Sequence, residues 1–259
     1  MPPEKLQACL ELALNISREQ VDEHHGRYLP MLNVNLAPTL HPSDTVTLIP
    51  SFVVFYDGPE SEGRKIAQPI FDLGPVNDST AQRRYTEVTQ YWKQLPNMHD
   101  HPIATSATHI PATSNVEVLN LLGDGFKDIV RKHSTELGAS SFGLELRSQA
   151  SHALTSFPDT AYALRQNGIL ANLNFIHKNV KMNKVIRADA QALMGRIRAA
   201  LVDGSSLDDA DGVVTLANLA APGEKIEKLW GSKFNRLQEL KRKYDPDFVF
   251  NKWFPIPPG

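Results

Sequence analysis

Phe142-Gly143-Leu144-Glu145-Leu146 and Ile169-Leu170-Ala171-Asn172-Leu173-Asn174-Phe175 each carry an apolar side chain at every second position. Successive side chains of a strand point to opposite faces, so this alternation describes two half-buried strands, each with one face on a core. Alternating rather than continuous apolar runs favour an antiparallel sheet with one covered face, because parallel strands are buried on both. Thr160 to Arg165 reads as a third strand, Gly212 to Leu216 as a short one, and Thr45 to Tyr56 as two pieces with Pro50 at a break.

Helical spacing fills much of the rest. Leu6, Cys9, Leu10 and Ala13 predict a short amphipathic helix over residues 4–16, followed by a polar loop from Ser17 to Gly26. Residues 60–72 read as a surface helix weakened by Gly63 and Pro69, and residues 73–111 as loop-rich. Ser114-Asn115-Val116-Glu117 has the capping-box pattern and opens a helix with Val116, Leu119, Phe126, Ile129 and Val130 on one face, Gly123-Asp124-Gly125 being a candidate kink. Ile186, Ala190, Leu193, Met194, Ile197 and Leu201 recur at 3.6 spacing behind Asn183 and ahead of Gly204. A last helix carries Ile226, Leu229, Trp230, Leu237 and Leu240 and stops at Tyr244-Asp245-Pro246. The tail from Phe248 to Pro258 is aromatic and proline-rich, too apolar to be left in solvent. Together these elements predict an α+β fold, an antiparallel sheet covered by helices on one face.

The 259 residues are 41% hydrophobic and 22% charged, which suits globular packing and excludes disordered or fibrous classes. Twenty-seven basic against 29 acidic residues leave a formal charge of −2, so no global field favours nucleic acid or an anionic membrane surface. A single cysteine, Cys9, rules out an internal disulfide framework. The N-terminal stretch lacks an apolar signal core, and no run approaches the ~18 apolar residues of a membrane span, so the expected location is cytoplasmic.

There is no Gly-x-Gly-x-x-Gly, no phosphate-binding Gly-Lys-Ser/Thr loop, no Gly-x-Ser-x-Gly elbow and no His-Glu-x-x-His. Met98-His99-Asp100-His101, with His109 beyond it, offers metal-ligand types without a register to hold them and reads as a polar loop. Leu207 to Gly212 imitates a calcium loop but puts Leu207 at the first ligand position and Asn218 at the twelfth, so it reads as an acidic turn. Lys241-Arg242-Lys243 complements the dipole of the last helix. Tyr162 and Arg165 are candidates for proton transfer and anion anchoring if their segment lines a cavity, with structural roles as the alternative.

The C-terminal run from Leu229 carries Asn235, Arg236 and Leu237, then Leu240 and Lys241, then Tyr244-Asp245-Pro246, and finally Trp253-Phe254-Pro255-Ile256. It resembles the closing segment of berberine-bridge-enzyme-like flavin oxidoreductases, the fungal type most of all. Tyr56 to Arg64 with Asp72 to Val76, and Thr160 to Arg165, agree with it in family order. The resemblance implies one substrate-binding-type domain over residues 1–259, with 224–259 as the C-terminal helix and tail. No stretch resembles the family's FAD-binding domain, so FAD is implied by resemblance only, and any flavin would be held by another polypeptide or segment. Where fungal relatives look like Tyr-Ala-Asn, this chain has Leu216-Ala217-Asn218; Asn218 could still bond a flavin or substrate carbonyl, but the phenol is gone.

The expected function is therefore the substrate-binding part of an FAD-linked oxidoreductase acting on a small organic, secondary-metabolite substrate. Its expected partners are that substrate and a separate flavin domain or a second copy of the chain. The alternatives are a cofactor-free isomerase or cyclase using Tyr162, His152 and Arg165 for acid–base work, and a non-catalytic remnant.

Overall fold

In the computed structural model, residues 1–19, 31–88, 101–146, 161–164, 168–202 and 215–259 are described. Five strands, β1 (Met31–Leu40), β2 (Val46–Phe55), β3 (Ile103–Pro111), β4 (Leu137–Leu146) and β5 (Gly168–His177), form one sheet in the order β2-β1-β4-β5-β3. All four pairings are antiparallel. The helices are α1 (Leu6–Glu19), α2 (Glu60–Ile66), α3 (Gln68–Phe71), α4 (Val116–Lys132), α5 (Asn183–Val202), α6 (Glu227–Trp230) and α7 (Phe234–Tyr244). Helices α1, α4 and α5 pack on one face of the sheet, so the fold is α+β as the alternation predicts.

The core follows from the two periodicities meeting. Val34 and Leu36 of β1, Phe142, Leu144 and Leu146 of β4, and Ile169, Ala171, Leu173 and Phe175 of β5 all face the helices and are buried. From above them come Leu10, Ala13 and Leu14 of α1, Leu119, Leu122 and Phe126 of α4, and Ile186, Ala190, Leu193 and Ile197 of α5. Phe126 lies at the centre, its ring 6.0 Å from that of Phe142 and 5.3 Å from that of Phe175. Arg198 ties α5 to β3 by donating to Thr108 Oγ1 (3.2 Å) and the Ala107 carbonyl (3.2 Å), and pairs with Glu224 at 2.8 Å.

Several local expectations are corrected. Strand β3 falls inside the stretch read as loop-rich. Of its helix-facing residues only Ile110 is large and apolar, while Ala104, Ser106 and Thr108 are small or polar, which lets α5 lie close but removes the apolar signature of a strand. Residues 46–55 form one continuous strand through Pro50, tolerated because β2 is an edge strand. Strand β1 matches none of the strands that the alternation predicts; its Pro38 lies beyond Leu36, where the ladder to β4 ends.

The proposed strand at Thr160 to Arg165 is not one in its described part, Ala161 to Leu164. Both edges of β5 are already taken by β3 and β4, and this segment instead packs Leu164 on Ala107 and Leu170, on the sheet face turned away from the helices. Thr215 and Leu216, the described end of the proposed strand at Gly212 to Leu216, are likewise not in a strand. Helix α4 runs unbroken through Gly123 and Gly125.

The region read as one surface helix breaks at Ala67, because Pro69 suits the first turn of a new helix. The last predicted helix divides into α6, a 3-10 turn at Gly231–Lys233 and α7, Gly231 adopting φ 53°. The tail is held along α7 by polar clamps. Lys241 donates to the Phe250 carbonyl at 2.7 Å, Arg242 to the Gly259 carbonyl at 2.6 Å, and Trp253 Nε1 to the Ala217 carbonyl at 2.8 Å. Its side chains are less covered than expected, with Phe250 79% and Trp253 59% exposed.

Candidate functional site

Residues facing away from the helices give the sheet a second, chemically different surface. Because β4 and β5 alternate, Ser141, Gly143 and Glu145 face the same way as Leu170, Asn172 and Asn174, and the register sets Gly143 opposite Asn172 and Glu145 opposite Leu170. On the other side of β5, Thr105, Ala107 and His109 stand opposite Asn174, Asn172 and Leu170.

Four of these side chains form a continuous polar strip across three strands. Thr105 Oγ1 donates to Asn174 Oδ1 at 3.2 Å, Asn174 Nδ2 donates to Asn172 Oδ1 at 2.9 Å, and Asn172 Nδ2 donates to Glu145 Oε1 at 3.0 Å. Gly143 makes room for it, since a Cβ there would lie 2.6 Å from Asn172 Oδ1.

At the Glu145 end the strip opens into a small, shallow depression, partly open to solvent, lined by His109, Glu145, Tyr162, Leu164, Gly168, Leu170 and Leu216. Its floor is a small apolar cluster of Ala107, Leu164 and Leu170, against which Tyr162, Leu216 and Leu219 pack. Gly168 is needed here. A Cβ on it would meet the Ile110 carbonyl oxygen at 2.2 Å and His109 Nε2 at 2.5 Å. The depression thus combines a carboxylate, an imidazole and a phenol, the side-chain types that exchange protons with organic substrates.

Of the residues proposed from the sequence, Tyr162 lines this depression, though from an irregular segment rather than a strand. Asn218 is exposed in the turn that follows Leu216, a turn closed by the Leu219 amide on the Leu216 carbonyl and braced by Trp253 on Ala217. Arg165 and His152 lie outside the described residues, as do His99 and Asp100 of the His-rich segment. Among the described residues no group of three potential metal ligands gathers. Sequence reasoning passed over Glu145, Asn172 and Asn174 as the polar half of the alternation, and considered His109 only with the His-rich loop. The available signal was that two amides and a carboxylate occupy non-core positions of adjacent strands.

Comparison with known proteins gives this surface a context. Residues 217–257, from the Asn218 turn to the tail, match the family described as berberine and berberine like. An FAD-linked oxidoreductase, pgmH of Aspergillus terreus, is 27% identical over 262 residues, covering 99% of this chain and 52% of its own length. The carbohydrate oxidase from Microdochium nivale shares the fold with a TM-score of 0.64 at 15% identity, over 97% of this chain and 53% of that one. Berberine bridge enzyme does so with a TM-score of 0.60 at 15% identity, over 97% and 53%. The chain spans about half the length of these relatives. It is homologous to berberine-bridge-enzyme-like FAD-linked oxidoreductases over that half.

Proposed function

We propose that this chain is the substrate-binding part of an FAD-linked oxidoreductase acting on a small organic, secondary-metabolite substrate, with the flavin's phosphates held by polypeptide outside these 259 residues. The observation that carries the reading is the polar strip on the sheet face turned away from the helices, running from Thr105 to Glu145 and ending in a depression with Tyr162 and His109. A sheet face that only met solvent would gain little from interlocked, partly buried amides.

The residues present fit contact with a flavin ring and not the holding of the whole dinucleotide. Asn218 offers an exposed amide on the turn after Leu216, while the sequence has no glycine-rich phosphate loop. Bound flavin would accept the hydride and so supply the redox chemistry. Within this chain, the Glu145 carboxylate would take the substrate proton, the Tyr162 hydroxyl would hold a substrate oxygen, and Asn218, on the exposed turn after Leu216, would hold a flavin or substrate carbonyl. A second reading is a cofactor-free isomerase or cyclase, in which the Glu145, His109 and Tyr162 groups of the same depression would do acid–base work.

The test combines the purified chain and FAD with a segment covering the unmatched half of the A. terreus relative, and follows the flavin spectrum and turnover on a panel of phenolic and polyol substrates. Flavin reduction that falls about 10²–10⁴-fold in Glu145→Gln is the expected result. A mixture that never reduces flavin overturns the reading. Isomerised product without FAD establishes the second one.

A further inference from the structure

The strip has a direction. Every hydrogen bond in it donates toward Glu145, from the Thr105 hydroxyl through the Asn174 and Asn172 amides. That direction is dictated at one end. An ionised carboxylate only accepts, so Asn172 must present its NH₂ to Glu145 and its carbonyl to Asn174. Asn174 must then donate to Asn172 and accept from Thr105, whose hydroxyl can do either and so completes the chain. Three dipoles thereby add head to tail on one carboxylate, an arrangement in which each bond polarises the next.

The strip is also built at a steric cost that ordinary sheet packing does not require. Gly143 stands opposite Asn172 on β4, where a Cβ would displace the amide. Asn172 itself is 7% exposed, so its NH₂ and carbonyl must be satisfied by protein.

We infer that Thr105, Asn174 and Asn172 are positioning residues for Glu145, a one-way donor relay that fixes the orientation of the carboxylate in the depression and the donor and acceptor pattern of the face around it. This rests on reading the polar face as the substrate surface. The relay reaches Glu145 from β3, on the far side of β5, so a group that never touches the carboxylate helps hold it.

The test is a double-mutant cycle on the full 259-residue chain between Thr105→Val and Glu145→Gln, read by thermal unfolding and needing neither substrate nor flavin. The two sites lie on strands separated by a third and are offset by four residues along it, Thr105 opposite Asn174 and Glu145 opposite Leu170, roughly 16 Å apart, a distance at which unconnected substitutions add. A relay makes them non-additive, the Tm loss of Thr105→Val being smaller in the Glu145→Gln background, with the coupling restored by Thr105→Ser. Side-chain amide NMR supplies a second readout: Thr105→Val moves the Asn172 NH₂ resonances as well as those of Asn174. Additive Tm changes together with a perturbation confined to Asn174 overturn the relay. Because neither measurement uses turnover, failure of the flavin experiment and failure of the relay are separate results.

Discussion

Two glycines on one helix should respond to the same substitution with opposite sign. In α4, a Cβ on Gly123 would meet Leu48 Cδ1 at 3.6 Å and Phe142 Cε1 at 3.9 Å, ordinary contacts. Glycine in a helix interior is less favourable than alanine by about 1 kcal/mol, so Gly123→Ala gains that amount plus a little apolar contact. For a chain of this size that raises Tm by about 2–4 °C. On Gly125 the same Cβ would lie 2.3 Å from Leu193 Cδ1 and 2.9 Å from Cδ2. Leu193 is 3% exposed and surrounded by the core, so it has little room to turn away. Overpacking of this kind costs about 1–3 kcal/mol, which cancels or exceeds the propensity gain and leaves Gly125→Ala between neutral and about 2 kcal/mol less stable. Differential scanning calorimetry of both variants decides the matter. Leu193→Ala, which costs about 2–5 kcal/mol alone, should cost less in the Gly125→Ala background because the added methyl occupies part of the void. Equal stabilisation by both glycine substitutions, or strict additivity with Leu193→Ala, would refute the reasoning that close approach of α4 and α5 sets the sign.

Other consequences can be measured directly. Gly143→Ala should lower Tm and abolish the Asn172 to Glu145 hydrogen bond in a crystal structure of the variant, because its Cβ would meet Asn172 Oδ1 at 2.6 Å and leave a buried amide unpaired, at a cost of about 1–3 kcal/mol. Partial burial raises the Asp189 carboxyl, but hydrogen bonds from Lys132 and His133 outweigh it and hold the group below the usual carboxylate range. The stability it contributes is therefore present above the unfolded carboxylate pKa of about 3.9 and disappears as pH falls through the lower folded value. Asp189→Asn should lower Tm at pH 7 and narrow its gap from the wild type as pH falls toward 3. Burial pushes the Cys9 thiol up, against the opposing pull of the N-terminal amine and Lys5, so native protein should resist thiol reagents at pH 8 and label only as fast as it unfolds. Lys241→Ala removes the ion pair to Asp245, the bond to the Phe250 carbonyl and a cation–π contact 5.1 Å from the Phe248 ring, and should expose the tail to limited proteolysis before the body of the fold is cut.

Elements whose core face is made of large aliphatic and aromatic residues were legible in the sequence. Strands β4 and β5 and helices α4 and α5 are of this kind, since Phe142, Leu173, Phe126 and Ile197 mark their buried faces at the period of the element. Strand β3 was not legible, because close packing under α5 selects Ala104, Ser106 and Thr108, which carry no hydrophobic period. The break at Gly231 and the irregular path of Ala161 to Leu164 are set by tertiary demand, the first by a left-handed backbone and the second by a sheet with no open edge at β5. Tyr162 could be named from the sequence as a bearer of chemistry. Its neighbours Glu145 and His109 could not be grouped with it, because only the register of three strands brings them to one depression.

The order of the strands also governs how the chain comes to be made. Leu36 of β1 waits for Phe142 of β4, roughly a hundred residues later, before that edge is covered. At synthesis rates of about 5–20 residues per second, the β1–β2 hairpin spends on the order of 5–20 s beside the ribosome with the inner backbone edge of β1 unpaired. The hazard of this architecture thus falls in the middle of translation, when the first hairpin is complete and the strand that will shelter it has not yet been synthesised.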